Sequence, residues 1–129
     1  MEDHWRITPE VESITLWDPE EFLLQETVKS QGHKVHATTT DLSHVLSQDE
    51  ILFAVATVRN DLGPEVFIQV LESGKHLITD KPIGKTAVAS KQVNDVAVRK
   101  GRQLGVFYQN RALTPILDAR RFIEQGLIG

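Results

Sequence analysis

Short apolar runs of strand length alternate with segments of helical spacing along this chain, and that order alone restricts the architecture to few choices. Ser13-Ile14-Thr15-Leu16-Trp17 is β-branched and aromatic, as a strand should be. Lys34-Val35-His36-Ala37 predicts a second short strand. Ile51-Leu52-Phe53-Ala54-Val55-Ala56 is six apolar residues without alternation, the pattern of a strand covered on both faces. Lys75–Thr79 and Leu104–Tyr108 complete the set. Strands alternating with helices predict βαβ units, a parallel sheet and right-handed crossovers.

The helices carry their own start and stop signals. Asp18-Pro19-Glu20-Glu21 offers a capping acid, a proline for the first turn and a capping-box glutamate, and Gly32 is a natural stop. Asp41 predicts a cap for a short helix through Leu42, Val45 and Leu46. Gly63-Pro64 opens a helix whose apolar residues Val66, Phe67, Val70 and Leu71 follow helical spacing to Gly74. Further helices are predicted from about Thr86 to Lys100, with Gly101 as stop, and from Thr114-Pro115 to Gly126.

Length and charge exclude several function classes. A chain of 129 residues suits one domain, read as residues 1–129 with no repeat, linker or internal boundary. A net charge of −4 argues against a nucleic-acid partner, which would draw on clustered Lys and Arg. There are no cysteines, hence no disulfide and no thiolate metal site. No apolar run approaches the roughly 20 residues that span a bilayer, and Met1–Arg6 has no apolar core of a secretory signal. No membrane partner is expected, and a cytoplasmic location is.

In a parallel sheet every strand-to-helix loop opens on the same edge, where ligands bind. Asp18, the Thr57-Val58-Arg59-Asn60 loop, the Asp80-Lys81-Pro82 step and the Gln109-Asn110-Arg111 loop all follow predicted strands, so their polar groups should share one rim. Each has a plainer reading. Asp18 works as a helix cap and equally as an acceptor for a ribose hydroxyl; the two roles can coexist. Arg59 and Asn60 suit a solvated turn, and Asn110 and Arg111 suit local capping or pairing. Lys81 differs from an ordinary surface lysine because Pro82 fixes the backbone beside it. A cation so placed can act as an acid or base.

Other chemistries lack support. The histidines His4, His33, His36, His44 and His76 share no metal-ligand spacing, and no metal is expected. No serine sits in a Gly-x-Ser-x-Gly context. Lys85-Thr86 lacks the upstream glycine of a phosphate-binding P-loop.

Taken together, the loops resemble the glucose–fructose oxidoreductase / inositol dehydrogenase / rhizopine-catabolism (Gfo/Idh/MocA) family of nicotinamide-dependent oxidoreductases. The resemblance covers roughly Pro9 to Gly129. It rests on Ala54-Val55-Ala56-Thr57, Leu71-Glu72-Ser73-Gly74-Lys75-His76-Leu77, Asp80-Lys81-Pro82 and Val106–Arg111, with Phe122–Gly129 similar to the helix end that leads into the family's second domain. The resemblance implies an α/β, Rossmann-like doubly wound parallel sheet that binds NAD or NADP. It implies that Lys81 lies near the nicotinamide and the reacting carbon as the catalytic group. It places Asp80 near the nicotinamide ribose, with Thr57, Val58, Arg59, Asn60, Pro82, Gln109, Asn110 and Arg111 on the cofactor. By the same analogy Asp18 reaches the adenosine ribose and favours NAD, since an acid repels a 2′-phosphate. The partner molecules implied are the dinucleotide and a sugar or polyol, with a homo-oligomer allowed.

The departures are as informative. The family opens with a strand and a Gly-x-Gly-x-x-Gly turn that cradles the pyrophosphate, whereas the first glycine here is Gly32. Gly63 stands where the family often has histidine, and the family's second domain is expected to be missing after Gly129. Without the usual first strand, the strands at 14–17 and 51–56 are expected to lack a shared neighbour, leaving two open edges. The expectation is therefore a fragment of a longer oxidoreductase, weakly active or inactive alone. An in-frame strand and glycine-rich turn encoded upstream of Met1 would support it, and their absence would count against it. The alternative is a non-catalytic nucleotide-binding or protein-interaction module on the same scaffold.

Overall fold

A computed structural model describes residues 8–31 and 34–129. The helix stop expected at Gly32, together with His4 and His33, lies outside the described residues. The chain packs as two compact units, Met1–Leu52 and Phe53–Gly129.

In the first unit, β1 (Ile14–Trp17), α1 (Glu21–Gln31) and β2 (Val35–Thr39) form a parallel βαβ unit, followed by α2 (Leu42–Leu46). Thr15 pairs with Ala37 and Trp17 with Thr39, with a register shift after Ile14. The Trp17 indole N–H donates to the Thr40 carbonyl at 3.2 Å, and Leu24 of α1 is the buried apolar anchor. The predicted cap is in place at α2: Asp41 Oδ1 accepts from the Ser43 N–H at 2.8 Å. At α1 the helix begins at Glu21, so Pro19 lies ahead of its first turn.

The second unit runs β3 (Phe53–Ala56), α3 (Gly63–Glu72), β4 (His76–Asp80), α4 (Ala87–Lys100), β5 (Leu104–Phe107), a 3-10 turn (Gln109–Ala112) and α5 (Thr114–Glu124). Its three strands are parallel, in the order β3-β4-β5. Both crossover helices have the expected signals, with Pro64 in the first turn of α3 and a Thr86 hydroxyl capping α4. Gly101 closes α4 at φ +62°, a left-handed conformation that favours glycine.

Register decides the core. Parallel partners share a face, so Ala56, Thr79 and Val106 lie on one side, and Val55, Ile78 and Gly105 on the other. The first side is buried with α3 and α4: Leu71, Val93, Leu77 and Thr79 are at most 1% exposed. The second side stays open, with Phe53 46%, Val55 57% and Ile78 43% exposed. The expectation of a six-residue strand covered on both faces is therefore corrected. The strand is four residues long, and the helices that bury this sheet pack on the Leu77 and Thr79 side. Among the described residues β1 pairs with β2 alone and β3 with β4 alone, so each keeps an open edge. No described helix is long and apolar enough to cross a membrane.

Candidate functional site

Ala56 and Thr79 stand opposite each other at the carboxyl ends of β3 and β4, so the loops leaving these strands start side by side. Between them lies a cleft of about 190 Å³. Six residues expected at the rim line it: Thr57, Val58, Asn60, Asp80, Lys81 and Pro82. Three others were not anticipated: Gly63, Phe67 and Thr79. Phe67 and Thr79 are buried, at 2% and 1% exposure, and form its inner wall.

The sequence held a signal for each of the three. Thr79 is the last residue of the predicted strand before Asp80. Gly63 opens the predicted helix, and Phe67 lies one helical turn later. A Cβ at Gly63 would sit 3.1 Å from the Phe67 ring, so glycine lets backbone and ring approach at the cleft wall.

Local bonds determine what the cleft presents. Asp80 Oδ1 accepts from the Lys81 backbone N–H at 2.8 Å, folding the carboxylate back on its own loop. The Lys81 side chain is exposed and makes no ion pair among the described residues, so its ammonium is available to a ligand. It offers three donors and one positive charge.

The remaining candidates lie elsewhere. Arg59 shares the β3 loop but does not line the cleft. Its Nε and Nη2 donate to Asp61 Oδ1 and Oδ2 at 3.2 and 2.7 Å. That bidentate bond lowers the Asp61 carboxyl below its usual range and raises the guanidinium further. Gln109, Asn110 and Arg111 form an exposed 3-10 turn after β5, closed by the Arg111 N–H on the Tyr108 carbonyl at 3.0 Å, and they do not line the cleft. Asp18 belongs to the first unit, at the end of β1. Its Oδ1 accepts from the Glu20 N–H at 2.8 Å, a turn just ahead of α1 rather than a cap on the N–H groups of the helix, which begins at Glu21.

Comparison with known proteins agrees with this fold. Levoglucosan dehydrogenase from Pseudarthrobacter phenanthrenivorans is 29% identical over 92 residues, 71% of this chain and 24% of that protein. A solved levoglucosan dehydrogenase in complex with NADH and levoglucosan superposes with a TM-score of 0.76 at 25% identity, over 92% of this chain and 31% of that one. The WlbA dehydrogenase from Bordetella pertussis, solved with NADH and UDP-GlcNAcA, gives a TM-score of 0.79 at 25% identity, over 88% and 32%. The chain thus spans about a quarter of the length of the curated relatives it matches. The model of an oxidoreductase family with an NAD-binding Rossmann fold matches residues 2–108. With parallel α/β units, a strand-end cleft holding Asp80-Lys81-Pro82 and this match over most of its length, the chain belongs to the Gfo/Idh/MocA oxidoreductase family.

Proposed function

We propose that the cleft between Thr57–Asn60 and Asp80–Pro82 holds the nicotinamide end of a dinucleotide. The enzyme bearing this chain then moves hydride between that cofactor and a secondary alcohol or carbonyl of a sugar or polyol. The observation that carries this reading is Lys81, a cation with no ion pair among the described residues, at the carboxyl end of a parallel strand and across the cleft from a second strand-end loop.

The residues present fit that end of the cofactor. A complete ligand pocket runs to roughly 300–1,000 Å³; a cleft of about 190 Å³ suits one ring and its carboxamide. The wall combines an apolar ring edge from Phe67 with the polar groups of Thr57 and Asn60. Bound there, the nicotinamide supplies or accepts the hydride. Lys81 holds the substrate oxygen by a charge-assisted hydrogen bond and passes the accompanying proton at that atom. Asp80 faces the nicotinamide ribose, and Pro82 holds the lysine's backbone. The relatives solved with NADH and a sugar or sugar nucleotide support the substrate class. NAD is placed ahead of NADP on Asp18 alone, because a strand-end carboxylate disfavours a 2′-phosphate.

Calorimetric titration of this chain with NADH and NADPH tests the reading. Saturable heat with NADH, weaker with NADPH, is expected; no heat with either would sink it. In an active enzyme bearing this chain, Lys81→Ala is expected to lower turnover by about 10²-fold or more. Unchanged turnover would remove Lys81 from the proton step.

A further inference from the structure

Thr79 is the one hydroxyl in the buried inner wall of the cleft, at 1% exposure. Its Oγ1 lies 3.0 Å from the Ala56 carbonyl oxygen and 3.2 Å from that of Asp80. A hydroxyl has a single hydrogen, so Thr79 donates to one of these carbonyls or divides the bond between them. Neither acceptor is remote from the site. Ala56 is the residue before Thr57, where the first cleft loop begins. Asp80 is the residue before Lys81, and its carbonyl belongs to the peptide that carries the Lys81 N–H. The sheet register already sets Ala56 opposite Thr79; the hydroxyl adds a bond at the last rung, beyond which β3 and β4 diverge into their loops.

We infer that Thr79 is a positioning residue: its hydroxyl clips the end of β3 to the end of β4 and so holds the Thr57–Asn60 loop and Lys81 in register across the cleft. A valine has nearly the same shape and would fill the same buried space, so packing alone does not call for the hydroxyl. Buried in low dielectric, the bond is stronger than it would be in water. The consequence for cofactor binding rests on the reading of the cleft as a nicotinamide site; the clip itself rests on the geometry alone.

Thr79→Val and Thr79→Ser in this chain test the inference, read by amide hydrogen exchange and by titration with NADH. Thr79→Val is expected to quicken exchange at the Gly63 amide, bonded to the Arg59 carbonyl of the first loop, and at the Lys81 amide by about fivefold, while the amides of Leu71 and Val93 in the helices hold their rates. NADH affinity should fall by a similar factor, and Thr79→Ser, which keeps the hydroxyl, should restore both. Parent exchange rates at Gly63 and Lys81 in Thr79→Val would overturn the clip. So would exchange quickened evenly through the whole unit, the mark of a residue that only supports the fold. Selective quickening in a chain that binds no NADH would uphold the clip and overturn the cofactor reading instead.

Discussion

Gly84 shows how closely the segment after Asp80-Lys81-Pro82 is fitted to the helix that follows. A Cβ on Gly84 would lie 2.9 Å from the Ser90 backbone nitrogen and 3.0 Å from the Ala89 Cβ. Backbone in the first turn of α4 cannot swing aside as a flexible side chain could. Gly84→Ala should therefore cost about 1–3 kcal/mol of stability by overpacking, measured by denaturant unfolding, and a variant as stable as the parent would show that this turn yields. At the same scale, Asp18 and Arg59 show why single residues are hard to assign from sequence. Both are polar and both follow strands, as the rim reading requires. Which partner each takes is a matter of a few ångströms: a neighbouring N–H for Asp18, and Asp61 for Arg59.

Helices α3 and α4 pack side by side on one face of the β3-β4-β5 sheet, and the buried and exposed faces of α4 predict unequal responses to the same change. Val93 of α4 is fully buried, whereas Val98 of the same helix is 73% exposed. Val93→Ala should cost about 1–3 kcal/mol. Val98→Ala should stay within about 0.5 kcal/mol, and thermal unfolding of the pair compares them directly. The C-terminal ends of the two helices are tied by Glu72, which pairs with Lys100 at 2.8 Å and with Arg99. The Lys100 hydrogen bond, with the charges of Lys100 and Arg99, holds the Glu72 carboxyl below its ordinary value of 4.5. A carboxyl with a depressed folded pKa contributes stability above its unfolded pKa, and loses it as pH falls through the folded value. Glu72→Gln should thus be less stable than the parent at neutral pH, with the gap closing below about pH 4.5. A gap independent of pH would assign the loss to packing. Element type and order were legible because caps, glycines and helical spacing are local: Asp41, Pro64, Thr86 and Gly101 act where the sequence places them. The 3-10 turn at Gln109–Ala112 was not, since no periodicity separates one tight turn from a loop.

For the molecule as a whole, the division near residue 52 coincides with no change in composition. It follows from pairing: β1 bonds to β2, β3 to β4, and each retains an unpaired edge among the described residues. The open face of the second unit, with Phe53, Val55 and Ile78 half exposed, should bind a hydrophobic dye in the folded chain at neutral pH. Val55→Thr, which keeps the β-branched shape on that face, should lower the dye signal without lowering the unfolding midpoint by more than a few degrees. An unchanged signal would place the exposed apolar surface elsewhere, α5 with Ile116, Leu117 and Ile123 being the next patch.

The amino-acid order by itself determined the α/β class, the succession of five strands and their helices, and the place of Lys81 at a strand end beside a proline. These depend on near neighbours, where spacing, capping and turn chemistry act within a few residues. Tertiary structure alone decided which face of the β3 strand is buried, and that Gly63, Phe67 and Thr79 complete the cleft. Those outcomes depend on register between strands more than twenty residues apart. A shift of one residue would carry Thr79 to the open face and Ile78 into the core. The acid–lysine–proline step can be read from the chain; the approach of the Thr79 hydroxyl to the Ala56 carbonyl comes only once two strands have paired.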